Sequence, residues 1–206
     1  MDTITRIRRV AAANPKIILL PEYNDKRVVE ASVIIEKEGI AKVVLLTEDR
    51  INQADKARYI EQYVLLRQAK GMDAETAKKI FNDPLFYAAM MVHDGKADGF
   101  VAGAAHTTAD TVRAAIHCLG VDKRIGIASS CFIMSVPECP YGENGTFIYA
   151  DCGVIPEPTS RQLACIALAS AELAEKVLGM PSRVAFLSYS TKGSAEGKGV
   201  EKIGEA

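Results

Sequence analysis

The sequence has no tryptophan, few aromatic residues (6%) and no C-x-x-C pair among its five cysteines. An odd number of cysteines without paired spacing favours neither a disulfide framework nor a zinc knuckle. The three histidines, His93, His106 and His117, never stand three or four residues apart, so we expect no metal site. The cysteine pattern is typical of reduced, structural thiols and predicts a cytoplasmic protein.

Long apolar runs and an excess of charge of one sign are also missing. No run approaches the roughly 20 apolar residues that span a bilayer. Pro15 and Lys16 interrupt the apolar stretch near the N-terminus, so we expect no export signal. The 25 basic and 26 acidic residues give a formal net charge of -1, which creates no overall field for a polyanion. We therefore expect neither a membrane nor a nucleic acid as the main partner.

The composition is typical of a soluble globular protein, with 49% apolar and 25% charged residues in a chain of 206. Short apolar runs predict buried strands at 16–20, 42–46, 99–103 and 183–188. Amphipathic segments alternate with these runs, and the strongest predicted helix covers 159–179. Turn residues at 137–145 between two apolar runs predict a hairpin. The expected fold is a three-layer α/β/α arrangement around a mainly parallel sheet.

Composition changes most between residues 151 and 159, which predicts a first α/β domain at 1–154 and the start of a second at 155–206. The second part contains one clear helix and one clear strand, too few to close a core. We therefore expect the second domain to be incomplete, either because the chain is truncated or because it depends on another chain.

Two segments have the residue types of a phosphate-binding site. The first, 102–113, places small residues and threonines between a strand and a helix, where backbone N–H groups favour an anion. Its candidate binding residues are His106, Thr107, Thr108 and Arg113. The alternative is a well-capped helix with a surface arginine and a satisfied polar histidine.

The second segment, 187–194, offers hydroxyls, a lysine and a glycine directly after a predicted strand. A P-loop has four residues between its first glycine and the following Gly-Lys pair. Here only three residues lie between Gly193 and the pair Gly197-Lys198, so the segment is not a P-loop. An ordinary polar loop is the alternative here. The candidate binding residues are Ser188, Ser190, Thr191, Lys192, Gly193 and Ser194.

Segments 98–113, 145–153 and 187–194 occur in an order and with residues that resemble the phosphate acetyl/butyryl transferase family, and within it the phosphate acetyltransferases. The resemblance implies an acyltransferase that exchanges acetyl between acetyl phosphate and coenzyme A, with phosphate as the other product. It also implies a fold like that of isocitrate and isopropylmalate dehydrogenases, a homodimer, no metal, and no cofactor beyond coenzyme A as substrate.

The same resemblance assigns Arg67 and Arg113 to coenzyme A binding, although the pattern around Arg67 is that of an ordinary helix-face arginine. The catalytic serine, arginine and aspartate of the family are expected beyond Ala206, so the catalytic residues within this chain are unknown. Two alternatives stay open at this point. One is a phosphate propionyl or butyryl transferase, and the other is a non-catalytic fragment that binds coenzyme A or forms a dimer.

Overall fold

A computed structural model describes residues 2–191 and 193–206 of the chain. Its sheet has three parallel strands, β1 (Ile17–Leu20), β2 (Lys42–Leu45) and β3 (Gly99–Phe100), in the order β2-β1-β3. Helix α2 (Lys26–Lys37) connects β1 to β2, as expected for a βαβ unit. The α/β class and the parallel sheet predicted from the sequence are confirmed, although β3 is shorter than predicted.

Polar side chains cap the starts of most helices. Each capping side chain accepts a hydrogen bond from a backbone N–H group in the first turn of its helix, so the residues involved are close together in the sequence. The strand-connecting helix α2 has Asp25 as its cap, and Thr159 forms a capping box with Gln162. The remaining helices are α1 (Thr3–Ala13), α3 (Gln53–Arg67), α4 (Ala74–Ile80), α5 (Pro84–His93), α6 (Thr108–Leu119), α7 (Ser160–Leu178) and α8 (Lys198–Glu205).

The main core lies where α3 packs against α4, α5 and α6. Tyr59 and Tyr63 of α3 are completely buried, and their rings contact Tyr87 and Phe81 edge to face. Such aromatic pairs stabilise a core beyond their area of contact. Helices α3 and α6 both contribute to this core and contact each other.

The predicted hairpin forms from β4 (Cys131–Ser135) and β5 (Thr146–Ala150), which pair antiparallel with Ile133 opposite Ile148. Helix α7 contacts β5, and a small cluster of Ala174, Leu178 and Met180 packs there with Ile148. This cluster is much smaller than the core around α3.

The described chain divides into two compact units. The sheet unit is Arg8–Gly120, and the hairpin unit comprises the residues up to Ile7 together with Val121–Ala206. The domain boundary predicted at 154/155 lies inside the hairpin unit, between β5 and α7. It stays a prediction about the organisation of the whole protein.

The prediction of a strand at 183–188 is wrong. Among the described residues between α7 and α8, the structure contains no strand. An apolar run becomes a strand only when its N–H and C=O groups find a neighbouring strand. Val184 and Leu187 are instead largely exposed. No helix in the part of the chain that the structure describes has the length and apolar character needed to cross a membrane.

Candidate functional site

The carboxyl ends of the three parallel strands meet at one edge of the sheet unit, where open α/β sheets usually bind ligands. Glu22 follows β1, Glu48 follows β2, and His106 lies in the loop after β3. These residues line a cleft of about 580 Å³, together with polar side chains from the ends of α3, α4 and α5. The sequence predicted a site at this edge, and the cleft is where the predicted His106 lies.

Glu22 is the central side chain of this edge, and it is only 6% exposed. Its carboxylate accepts hydrogen bonds from the backbone N–H groups of four successive residues, at 3.0, 2.8, 2.8 and 2.8 Å, which are Gly103, Ala104, Ala105 and His106. Gly103 has a φ of 115°, a conformation that glycine adopts without strain, and this turns the amides toward Glu22. The loop therefore holds an anion already, the protein's own carboxylate.

Burial alone would raise the pKa of Glu22, but the backbone amides of His106, Ala105, Ala104 and Gly103 outweigh burial and lower it to about 2. Glu22 is thus ionised at neutral pH and ties the end of β1 to the loop after β3.

His106 contributes both ring nitrogens to the same network. Its Nδ1 lies 2.8 Å from Glu22 Oε1, and its Nε2 lies 2.9 Å from Asp83 Oδ2. Burial lowers the pKa of His106, but the hydrogen bond to Glu22 and the charge of Asp83 raise it by more, so the net shift is upward. With both nitrogens held by carboxylates, His106 supports the loop, and its predicted role in ligand binding stays a prediction.

The predicted helix N-terminus after this loop is present. Thr107 is the cap of α6, with its Oγ1 accepting from Asp110 N–H at 3.2 Å, and Thr108 is the first helical residue. Arg113, one turn and a half further on, donates to Asp110 Oδ1 at 2.8 Å and is half exposed. These local contacts are those of the alternative given above, a capped helix with a surface arginine. Ligand binding by Thr107, Thr108 and Arg113 stays a prediction.

Arg67 and Arg113 lie on the neighbouring helices α3 and α6, and His117 lies close to both. Arg67 Nη2 is 3.2 Å from His117 Nε2, and His117 stands four residues after Arg113 on the same face of α6. Burial, followed by the positive charges of Arg67 and Arg113, lowers the pKa of His117. The two arginines, 46 positions apart in the sequence, thus lie on adjacent helices near His117, where Arg67 contacts the ring and Arg113 pairs with Asp110.

The second predicted segment lies in the hairpin unit and forms a loop closed by its own hydroxyls. Ser190 Oγ donates to Ala195 O at 2.9 Å, and Ser194 Oγ accepts from Thr191 N–H at 2.9 Å. Ser188 Oγ accepts from Ser190 N–H at 3.1 Å, and Gly193 has a φ of 80°. Lys192, which was also predicted to bind ligand, lies outside the described residues.

Sequence reasoning missed four residues of the two clusters: Glu22, Asp83, Tyr63 and His117. Glu22 had a detectable signal, because it is the first charged residue after a buried strand. His117 also had one, since its spacing of four from Arg113 places both side chains on one helix face. Nothing local in the sequence identifies Asp83 as the partner of His106.

The similarity of this chain to known proteins extends over nearly its whole length. A sequence model of the family described as Phosphate acetyl/butaryl transferase matches residues 2–206. The phosphate acetyltransferase of Acetivibrio thermocellus is 40% identical over 98% of this chain and 67% of the relative. That of Thermoanaerobacterium thermosaccharolyticum is 41% identical over 98% of this chain and 68% of the relative.

Solved structures agree with these sequence matches. The EutD phosphotransacetylase from Staphylococcus aureus has a TM-score of 0.81 at 31% identity, and a phosphotransacetylase from Streptococcus pyogenes has a TM-score of 0.85 at 30% identity. Each comparison covers 98% of this chain and 66% of the solved chain. The chain thus spans about two thirds of the length of these relatives. The resemblance seen in the three sequence segments is confirmed, and the chain belongs to the phosphate acetyl/butyryl transferase family.

Proposed function

We propose that this chain is part of a phosphate acetyltransferase, an acyltransferase that moves an acetyl group between acetyl phosphate and coenzyme A. The match to the family across residues 2–206 supports the reaction. The relatives reported above are acetyltransferases by name, which favours acetyl over propionyl or butyryl and an enzyme over a non-catalytic fragment. The reaction would place the protein in acetate metabolism.

The arginine pair is the observation in this chain that carries the proposal. Coenzyme A has a pyrophosphate and a further phosphate, and guanidinium groups bind phosphate with paired donors. Arg67 Nη2 lies 3.2 Å from His117 Nε2, and Arg113 stands one turn before His117 on α6, so both arginines belong to one part of the sheet unit. Leu66 next to Arg67 and Ile116 on α6 are exposed and add apolar surface for the rest of the carrier.

The proposed chemistry is direct transfer. The thiolate sulfur of coenzyme A attacks the acetyl carbonyl carbon, a C–S bond forms, and the bond from that carbon to the phosphate oxygen breaks. The thiol proton goes to a base, and inorganic phosphate leaves. The proposal needs positive or hydrogen-bonding groups on the carbonyl oxygen and the leaving phosphate. From the resemblance, the base lies outside residues 1–206, and coenzyme A is a substrate, so no cofactor is assigned.

The loop with Ser188, Ser190, Thr191, Lys192, Gly193 and Ser194 contributes to substrate binding, and Thr107 and Thr108 contribute from the start of α6. The enzyme works in the cytoplasm, in keeping with its bacterial relatives and five cysteines, none of which forms a disulfide in the described chain. The assembly is a homodimer, which light scattering on the purified protein tests directly.

Coenzyme A binding to Arg113 is tested by calorimetric titration of the chain and of Arg113→Ala. We expect the substitution to weaken binding about tenfold or more, the cost of losing a charge-assisted hydrogen bond. Arg8→Ala is the matched control, because Arg8 is equally exposed and also pairs with a single carboxylate, that of Glu38. An unchanged affinity of Arg113→Ala contradicts the binding role.

The reaction itself is tested by mixing the chain with acetyl phosphate and coenzyme A and following thioester formation. Because the resemblance places the catalytic residues beyond Ala206, we expect essentially no product from this chain alone. Substantial product contradicts that placement and moves the search for the base into residues 1–206.

A further inference from the structure

His117 occupies an unusual position between a buried tyrosine and an arginine. Its Nδ1 lies 2.9 Å from Tyr63 Oη, and its Nε2 lies 3.2 Å from Arg67 Nη2. Tyr63 is completely buried, and its ring packs against Phe81 and Phe86. The three side chains form a line from the core of the sheet unit to its surface.

The chemistry of arginine sets the direction of these hydrogen bonds. A guanidinium group has donors and no acceptor, so His117 Nε2 must carry a lone pair. The ring proton is then on Nδ1, and Nδ1–H donates to the Tyr63 oxygen. His117 is neutral in this arrangement, and the tyrosine held by the core fixes the ring that in turn orients Arg67.

We infer that His117 is a positioning residue, which holds the Arg67 guanidinium beside Arg113 so that the two can bind the phosphate groups of coenzyme A together. The inference rests on the proposed function for the identity of the ligand. Arg67 Nε is a buried atom with no hydrogen-bond partner among the described residues, so the contact with His117 is made by Nη2 alone.

Protonation of His117 would undo the arrangement. An imidazolium has no lone pair for Arg67, and it would add a third positive charge beside two guanidinium groups. The groups around the ring are Tyr63 and Arg67 from α3 and Arg113 from α6, and α5 contributes Phe86, an aromatic neighbour of Tyr63. Arg113 is also paired with Asp110, one turn earlier on α6, at 2.8 Å, whereas Arg67 has no ion-pair partner among the described residues. Burial and the two arginines lower the pKa of His117, which keeps the ring neutral near pH 7.

The decisive experiment is a double-mutant cycle on coenzyme A binding, measured by calorimetry with the full chain. His117→Phe keeps a ring of similar size but removes the acceptor, and we expect affinity to fall about tenfold. In an Arg67→Gln background, the same change should have little further effect. His93→Gln is the control for an exposed histidine outside the cluster, and its affinity should equal that of the wild type.

A conservative variant separates positioning from simple packing. The Gln oxygen of His117→Gln can accept from Arg67 but does not titrate. We expect its affinity to lie within about threefold of the wild type at about pH 7.5. As pH falls from about 7.5 through the lowered pKa of His117, the wild type should lose more affinity than His117→Gln, because only the wild type gains a proton at this site. Titration of the ligand's own phosphate affects both proteins equally.

Several outcomes overturn the inference. These are a His117→Phe variant that binds like the wild type, an equal loss in the Arg67→Gln background, or identical pH dependence of the wild type and His117→Gln. A wild-type chain that binds no coenzyme A overturns the proposed function instead. The nitrogen NMR signals of the His117 ring then still decide the positioning role, because a proton on Nε2 at neutral pH excludes the bond from Arg67.

Discussion

Glu22 shows how one buried charge can organise a loop. Four backbone N–H groups converge on its carboxylate, an arrangement that in other proteins binds a phosphate or sulfate. The pKa of Glu22 falls from 4.5 to about 2, and such a shift corresponds to about 3 kcal/mol of stabilisation for the ionised form. A residue that sequence reasoning left unassigned therefore contributes substantially to the edge where the predicted site lies.

We predict that Glu22→Gln lowers the free energy of unfolding at neutral pH by about 3 kcal/mol, because the amides lose a charged acceptor. Urea unfolding followed by the near-ultraviolet circular dichroism of tyrosine measures this. Because the folded pKa is depressed, the stabilisation is present above the unfolded value and is lost as pH falls toward 2. The difference between wild type and variant should shrink in acid, and Glu36→Gln, at an exposed carboxylate, should cost little. Equal stability of Glu22→Gln and wild type contradicts this account.

His106 should make the stability of the chain depend on pH in the opposite direction. Its folded pKa is raised by Glu22 and Asp83 in spite of burial, so its contribution is complete below about pH 6.5, the unfolded value. It is lost as pH rises through the folded pKa. The stability advantage of wild type over His106→Gln should be larger at about pH 5.5 than at about pH 9. A constant advantage across this range would mean that folding leaves the pKa of His106 unchanged, which contradicts the upward shift.

At the scale of elements, helix starts were the most predictable feature. The sequence predicts helix starts at Thr107 or Thr108 and at Thr159, and in the structure Thr107 and Thr159 accept the backbone bonds of the cap. Capping depends on residues three positions apart, so the necessary information is local.

The neighbouring threonines of α6 provide a matched test of capping. Thr107→Ala removes the cap bond to Asp110 N–H and should cost about 1 kcal/mol of stability. Thr108→Ala removes an exposed hydroxyl with no side-chain hydrogen bond among the described residues, and it should cost less than about 0.5 kcal/mol. Urea unfolding of both variants measures the two costs. The assignment of Thr107 as the cap fails if the two costs are equal.

Strands were less predictable than helix starts. The run at 17–20 becomes β1 because 42–45 and 99–100 supply neighbours on both sides. The run at 183–188 is similarly apolar but has no strand beside it in the described part of the chain. Hydrophobicity can mark a candidate strand, whereas pairing requires a partner elsewhere in the sequence.

At the scale of the whole molecule, the two units differ in their cores. Every residue of the large core lies between Leu19 and Cys118, within the sheet unit. Among the described residues of the hairpin unit, only four apolar side chains are buried, Ile166, Ala174, Leu178 and Met180, and three of them form its cluster. A domain needs enough buried apolar surface to offset the loss of chain entropy.

We therefore predict that a fragment of residues 8–120 folds alone, while 121–206 alone does not unfold cooperatively. The first fragment should keep the near-ultraviolet circular dichroism of Tyr59, Tyr63 and Tyr87, which are buried in its core. Urea titration of both fragments provides the measurement. Loss of the tyrosine signal in 8–120 contradicts the independence of the sheet unit.

Family membership and most helix starts followed from short segments of the chain, since a motif or a cap requires only residues close together in sequence. The α/β class followed from the spacing of apolar residues along each segment. The site clusters required long-range contacts, because Glu22 meets Gly103 across 81 positions and Arg67 meets His117 across 50. Such pairs have no local signature. Their geometry depends on which strands and helices become neighbours, and this emerges only when the whole core packs.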